Sequence, residues 1–214
     1  HPSITAVMKW IKGHGVVVHE VPVDTEGRVV LSEFKKLLSG KTRLVSIAYV
    51  NSEIGVIQDL SKIGRTIAAF EKEAGTSIMF HTDAAQAPLW LPCSPEQLHV
   101  DMLSLDAGKC YGPKGVGVLV HRPRVKLATV TFGGGQESYL RPGTENTPLI
   151  VGVATAITRA QVEYKAVADR VAKERDQLWQ SLKTLEGSVI NGPIGEDRVA
   201  NNLNFSLPGL DAEY

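Results

Sequence analysis

Asp83 and Lys109 are the two residues in this sequence best placed to do chemistry together. Asp83 follows a short apolar run at 78–81, and Lys109 follows another at 102–105. Both runs read as strands, and open α/β sheets carry functional groups just beyond the carboxyl ends of their strands. An amine at such a place can condense with an aldehyde. A carboxylate beside it can lie under the nitrogen of a heteroaromatic ring and keep that nitrogen protonated, which makes the ring an electron sink for a carbanion. Such a lysine can serve first as nucleophile and then as proton carrier. A pair of this kind on its own is more often solvated or salt-bridged than functional, so its neighbours in the sequence have to decide.

The elements that must position the pair alternate between strand-like and helix-like patterns, as in a mostly parallel sheet with helices on its faces. Residues 3–12 read as a helix stopped by Gly13 and Gly15, followed by the β-branched run 16–18. A helix is predicted at 31–38, with Ser32 as its cap and Gly40 as its stop. A strand follows at 43–49, then a loop at 51–55. Ile63, Ile67 and Phe70 give 60–72 a helical apolar stripe. A further strand is predicted at 116–120, after the turn Gly112-Pro113-Lys114-Gly115. The glycine-rich stretch 133–143 precedes a long helical region at 147–185, whose polar face carries Glu163, Lys165, Asp169, Arg170, Lys173 and Glu174. A last strand is predicted at 202–207. The long helix would carry the chain from one domain, residues 1–160, into the start of a second, residues 161–214.

Composition narrows the function classes. The chain has 214 residues, 43% of them hydrophobic, enough for one large domain and part of another. The 23 basic and 23 acidic residues cancel, which leaves no field for nucleic acid or an anionic membrane. No apolar run approaches the roughly 20 residues that span a bilayer. Cys93 and Cys110 make neither a disulfide framework nor a metal-finger spacing, which points to a reducing cytoplasm. The sequence starts at His1 without a methionine, and is expected to be an internal piece of a longer protein.

Around the Asp/Lys pair, five collinear motifs resemble the cysteine desulfurases of the class V aminotransferase family, which depend on pyridoxal 5′-phosphate. His81-Thr82-Asp83-Ala84-Ala85-Gln86 and Ser104-Leu105-Asp106-Ala107-Gly108-Lys109-Cys110-Tyr111-Gly112-Pro113-Lys114-Gly115 hold that family's register, with 109 − 83 = 26 residues between the pair. His1 and the helix after it look like the family's ring-stacking histidine. Asn51-Ser52-Glu53-Ile54-Gly55 looks like its Asn-Asn-Glu-Ile/Thr-Gly loop. Gly133-Gly134-Gly135-Gln136-Glu137, with Arg141-Pro142-Gly143-Thr144, looks like its Gly-Gly-Gly-x-Glu … Arg-x-Gly-Thr segment. The resemblance covers essentially the whole chain. It implies fold type I of the pyridoxal-phosphate-dependent transferases: an α/β large domain with a mostly parallel sheet and flanking helices, N-terminally incomplete here, then the start of a small α+β C-terminal domain.

The resemblance also implies roles. Lys109 would hold the cofactor as a Schiff base, Asp83 would pair with its ring nitrogen, and Gln86 would hydrogen-bond its 3-oxygen. His1 would stack on the ring and take part in proton transfer. Asn51 and Ser52 would lie at the cofactor, and Asp106 and Gly108 at its phosphate. Thr144 would reach the phosphate of the opposite subunit, which implies a homodimer. Without the resemblance, His1 reads as an exposed terminal residue, Gln86 as a loop cap and Thr144 as a turn residue.

The sequence departs from the family at the phosphate side. Asp106 and Gly108 stand where the family has the serine and histidine of Ser-x-His-Lys. A carboxylate about 4 Å from a phosphate costs on the order of 4 kcal/mol at an effective dielectric near 20. Asp106 is therefore expected to turn away, pair with Lys109 or another cation, or be protonated, and the Gly108 N–H to replace the lost side-chain donor. Ser52 replaces a cofactor-contacting asparagine with a shorter, single-donor group. Cys93 and Cys110 match no sulfur-accepting cysteine of the family and read as structural thiols.

The implied activity is conversion of L-cysteine to L-alanine, with sulfur passed to an enzyme persulfide that supplies a sulfur-acceptor or scaffold protein in iron–sulfur cluster or thiolation pathways. The alternatives are another class V enzyme, such as an aminotransferase or selenocysteine lyase, and a non-catalytic dimerisation or scaffold relative.

Overall fold

Three strands of alternating pattern lie side by side and bury their apolar residues on one face. In the computed structural model, which describes residues 1–210, they are β1 (Leu44–Ala48), β2 (Met79–Asp83) and β3 (Met102–Asp106). The last four positions of the expected 161–214 segment lie outside the described residues. Val45 and Ile47 of β1, Phe80 and Thr82 of β2, and Leu103 and Leu105 of β3 are all buried, as the two-residue period of a strand requires. α3 (Leu60–Ala74) covers this face with Leu60, Ile63 and Ile67, and Phe34 of α2 (Leu31–Leu37) joins the same cluster. Asp59 caps α3 by accepting from the Lys62 N–H, and Gly75 ends it in the left-handed conformation.

β1, β2 and β3 are parallel neighbours in that order, and β4 (Gly117–His121) closes the row antiparallel to β3. The sheet is therefore mostly parallel, with α/β architecture. The carboxyl ends of β1, β2 and β3 all lie at one edge. Between β2 and β3 the short helix α4 (Pro95–Leu98), capped by Ser94, turns the chain at His99, which adopts positive φ. The buried Asp101 then fixes the entry to β3. Its Oδ2 accepts from the Phe80 N–H at 2.9 Å, and Arg124 donates to both carboxylate oxygens at 2.6 Å.

α5 (Thr147–Leu182) is a single 36-residue helix, capped by Asn146. It runs unbroken through residue 160. Its first half packs on the segment after β3, and its second half meets a small antiparallel pair, β5 (Val189–Ile190) and β6 (Phe205–Ser206), where Trp179 lies against Phe205.

Three local expectations change. The run 16–18 forms no strand: Val17 is largely exposed and has no ladder partner among the described residues. Ser32 lies inside α2 rather than capping it; the cap position is Val30, which makes no side-chain bond. The predicted strand at 202–207 shortens to two residues, because residues 199–204 turn back onto the 51–55 loop instead of extending.

Candidate active site

The carboxyl ends of β2 and β3 bring the Asp/Lys pair to one edge of the sheet. Asp83 is the last residue of β2 and stands between Ala48 of β1 and Ser104 of β3 in register. Its carbonyl accepts from the Tyr49 N–H at 2.8 Å, and the next residue, Ala84, donates to the Ser104 carbonyl at 3.0 Å. The backbone beneath the carboxylate is thus held from both sides. Asp83 is half-buried, and its Oδ1 accepts from the Ala85 N–H at 3.0 Å. Among the described residues no cation pairs with it.

Lys109 projects from a single 3₁₀ turn, Ala107–Cys110, that directly continues β3. Ala107 and Cys110 are buried, while Gly108 and Lys109 between them are exposed. The turn is thus anchored at both ends and presents its lysine outward. Cys110 donates from Sγ to the Asp106 carbonyl, and the Gly112 N–H closes on the Ala107 carbonyl at 2.9 Å. α5 braces the turn from behind. A Cβ at Gly112 would lie 2.9 Å from the Ala156 methyl, and one at Gly152 would lie 2.9 Å from the Pro113 ring. Glycine at both positions is what permits this approach.

Asp106 settles the question its sequence position raised. Its carboxylate turns onto the same chain and caps the lysine turn, accepting from the Gly108 N–H at 2.9 Å. The Gly108 N–H, expected as a free donor for phosphate, is therefore already engaged. Asp106 forms no ion pair among the described residues, with Lys109 or any other cation.

Gln86, Asn51 and Ser52 come together as well. They line one small cavity with Val50, Val199, Asn201 and Asn202. Asn51 Oδ1 accepts from the N–H groups of Glu53 and Ile54 at 2.8 and 3.0 Å, so this oxygen shapes the loop. Ser52 is exposed beside it.

His1 and Thr144 are not brought into this group by any hydrogen bond among the described residues. His1 is exposed and caps α1 (Pro2–Lys12), with Nδ1 accepting from the Ser3 N–H and bonding the Ser3 hydroxyl at 2.9 Å. Thr144 is exposed on the segment between β4 and α5, next to Gly143 at positive φ.

Two features were not read from the sequence. His81 spans three strands, with Nδ1 at 2.8 Å from the Ser46 hydroxyl and Nε2 at 2.9 Å from that of Ser104. It shares a strand face with Asp83. Burial lowers its pKa, with the Asp83 charge opposing, so the ring is neutral at neutral pH. The second feature is the Asn201–Asn204 segment against the 51–55 loop. A run of amides was its one visible signal, and nothing local pairs that run with residues 150 positions earlier.

The two thiols behave as buried groups. Burial raises Cys93 to about 12 and Cys110 to about 11, so both are protonated at neutral pH.

The family model for class-V aminotransferases matches residues 1–214. A protein named cysteine desulfurase IscS from Histophilus somni is 36% identical over the whole chain, and one of that name from Tolumonas auensis is 37% identical. The chain spans about half the length of these curated relatives, 52% in both cases. Among solved structures, a NifS-like protein superposes with a TM-score of 0.91 at 38% identity, covering 98% of this chain and 56% of its own. DndA from Streptomyces lividans superposes at 0.86 with 33% identity, covering all of this chain and 59% of its own. With a family match over its full length and this sheet, turn and loop in place, the chain belongs to the class-V aminotransferases.

Proposed function

We propose that the full-length protein is a pyridoxal-phosphate-dependent cysteine desulfurase. The observation that carries the reading is the placement of Asp83 at the end of β2 and of the Lys109 turn at the end of the adjacent β3. The residues present fit the cofactor: an accessible amine on an anchored turn, a half-buried carboxylate with one oxygen held by Ala85, and Gln86 and Ser52 lining one cavity. When bound, pyridoxal phosphate supplies an electron sink conjugated to the substrate's amino group.

This chain's residues do the rest. Asp83 holds a proton on the ring nitrogen, as a carboxylate beside a heterocycle does. Lys109 is the amine that would hold the cofactor, and once freed it would carry protons to and from the substrate carbon. Gln86 orients the ring through its amide, and His1, at the start of α1, is proposed to stack on it. In the overall reaction the S–Cβ bond of L-cysteine breaks. The bonding pair stays with carbon, which gains a proton and leaves as L-alanine, and the sulfur passes to a thiolate as a persulfide. Cys93, part-buried, and Cys110, buried, are both protonated at neutral pH and are not that thiolate.

We further assign residues 1–160 to the large domain and 161–214 to the start of the small one, and place the protein in the cytoplasm as a homodimer whose Thr144 reaches the partner's cofactor. Val130, Phe132 and Tyr139 stand exposed on the same segment as Thr144, which supports a covering subunit there. No helix among the described residues is long and apolar enough to cross a membrane.

The test is product analysis of the full-length protein loaded with pyridoxal phosphate. L-Cysteine with a reducing thiol should give equimolar L-alanine and sulfide, and Lys109→Ala should give neither. A protein that binds the cofactor through Lys109 yet forms no alanine is not a desulfurase.

A further inference from the structure

The 51–55 loop fixes its own shape but not its place. Asn51 Oδ1 holds the Glu53 and Ile54 N–H groups, and the Gly55 N–H closes on the Asn51 carbonyl at 3.0 Å. This leaves the Ser52 and Glu53 carbonyls pointing away from the loop. Two asparagines from the far end of the chain take them up. Asn202 Nδ2 donates to the Glu53 carbonyl at 2.9 Å and lies 3.4 Å from that of Ser52, and Asn204 Nδ2 donates to the same Glu53 carbonyl at 3.0 Å.

The orientation of the Asn202 amide is forced from behind. Arg198 is buried and has only donors, and its Nη1 donates to Asn202 Oδ1 at 2.7 Å, so the Asn202 oxygen must face it and the nitrogen must face the loop. Nε and Nη2 of the same guanidinium donate to the carbonyls of Pro193 and Asn191. Asn191 Nδ2 in turn donates to Asn204 Oδ1 at 2.8 Å. The backbones are joined as well: Val199 N–H donates to the Gly55 carbonyl at 2.8 Å, and Ile57 N–H to the Asp197 carbonyl at 2.9 Å. Gly55, at φ 72°, has no room for a side chain, since a Cβ would sit 2.5 Å from Asn202 Oδ1.

We infer that Asn202 and Asn204 are positioning residues for the active site: they set the place of Ser52 relative to Gln86 in the cavity all three regions line, and make the loop and the segment after α5 a single body. Any movement of the small domain then shifts the cofactor loop with it. This inference rests on the desulfurase reading for its effect on catalysis, while the clamp itself exists without cofactor.

The test separates these two. In Asn202→Asp the carboxylate keeps the acceptor for Arg198 but loses both N–H donors to the loop. Asn204→Asp does the same with respect to Asn191, and carries the test should the first variant not fold. In the full-length protein without cofactor, amide exchange of Glu53, Ile54 and Gly55 is expected to accelerate about tenfold in either variant, the effect of losing one or two hydrogen bonds. Pyridoxal phosphate binding should weaken by about fivefold or more, and KM for L-cysteine should rise more than kcat falls. Unchanged loop exchange and cofactor affinity in both Asp variants, with loss only in Asn202→Ala, would mean that Asn202 serves Arg198 alone, and would overturn the inference. If the wild-type protein forms no Lys109-linked cofactor, the functional reading fails, and the loop exchange still decides the clamp.

Discussion

The Asp106 carboxylate accepts the Gly108 N–H at 2.9 Å and so closes the turn from which Lys109 projects. This one bond places a negative charge at the strand end where the cofactor's phosphate would approach, and removes a backbone donor that could have met it. On the proposed function, Asp106 would thereby trade anion binding for a rigid lysine turn. A serine at this position can cap the same N–H without the charge. Asp106→Ser is expected to bind pyridoxal phosphate more tightly, by a factor on the order of ten, while its affinity for pyridoxal without the phosphate stays the same. Spectroscopic titration with both ligands checks this, and equal affinities of wild type and variant for pyridoxal phosphate would remove the repulsion argument.

Lys109 is exposed, between two buried anchors. Its replacement should therefore cost function and little stability. Lys109→Ala is expected to lose borohydride-fixable cofactor and at least a thousandfold in alanine formation, in line with loss of a covalent catalyst, with its unfolding free energy within about 0.5 kcal/mol of wild type. Mass spectrometry of the reduced protein and urea unfolding read the two halves.

Asp83→Asn keeps an oxygen for the Ala85 N–H and so should fold normally. An amide carries no charge to hold a ring nitrogen protonated. Turnover is expected to fall by about a hundredfold or more, with a shifted visible spectrum of the bound cofactor. A variant with wild-type spectrum and rate would place the ring elsewhere.

Burial holds the Cys93 thiol near 12 and the Cys110 thiol near 11, against an ordinary value of 9.0. A raised thiol pKa keeps the neutral form through the physiological range, and the thiolate grows in only as pH climbs toward the raised value. Iodoacetamide labelling of the folded protein is expected to be negligible at neutral pH for both residues and to rise about tenfold per pH unit through pH 10 without a plateau. Cys93→Ser should retain alanine formation.

Asp101 is 5% exposed and bonds both the Phe80 N–H and the Arg124 guanidinium. Asp101→Ala strands the backbone donor inside the sheet and leaves Arg124 with only Glu71 and the Ile78 carbonyl as partners. A loss of about 3 kcal/mol in unfolding free energy is expected, measured by urea titration, with the double variant Asp101→Ala/Arg124→Ala losing less than the sum of the single changes.

The sequence by itself determined the features that local chemistry encodes. Alternation at 45/47, 80/82 and 103/105 marks strands, because each side chain's face follows from its neighbours' spacing. Asp83 and Lys109 at the ends of such runs, with Gln86 and the Gly112 turn in register, marked the edge proposed to hold the site. Tertiary structure decided the rest, since it depends on groups far apart in the chain. That β4 runs antiparallel, that the run 16–18 finds no partner, and that Asn202 reaches Glu53 across 149 positions are matters of which backbone groups meet. Asp106 is the intermediate case. Its charge was visible in the sequence and its conflict with a phosphate could be calculated, but three resolutions were open. Only the folded turn, with the Gly108 N–H two residues away and no cation paired with it among the described residues, shows that the carboxylate turns back to cap the lysine turn and keeps its charge unpaired.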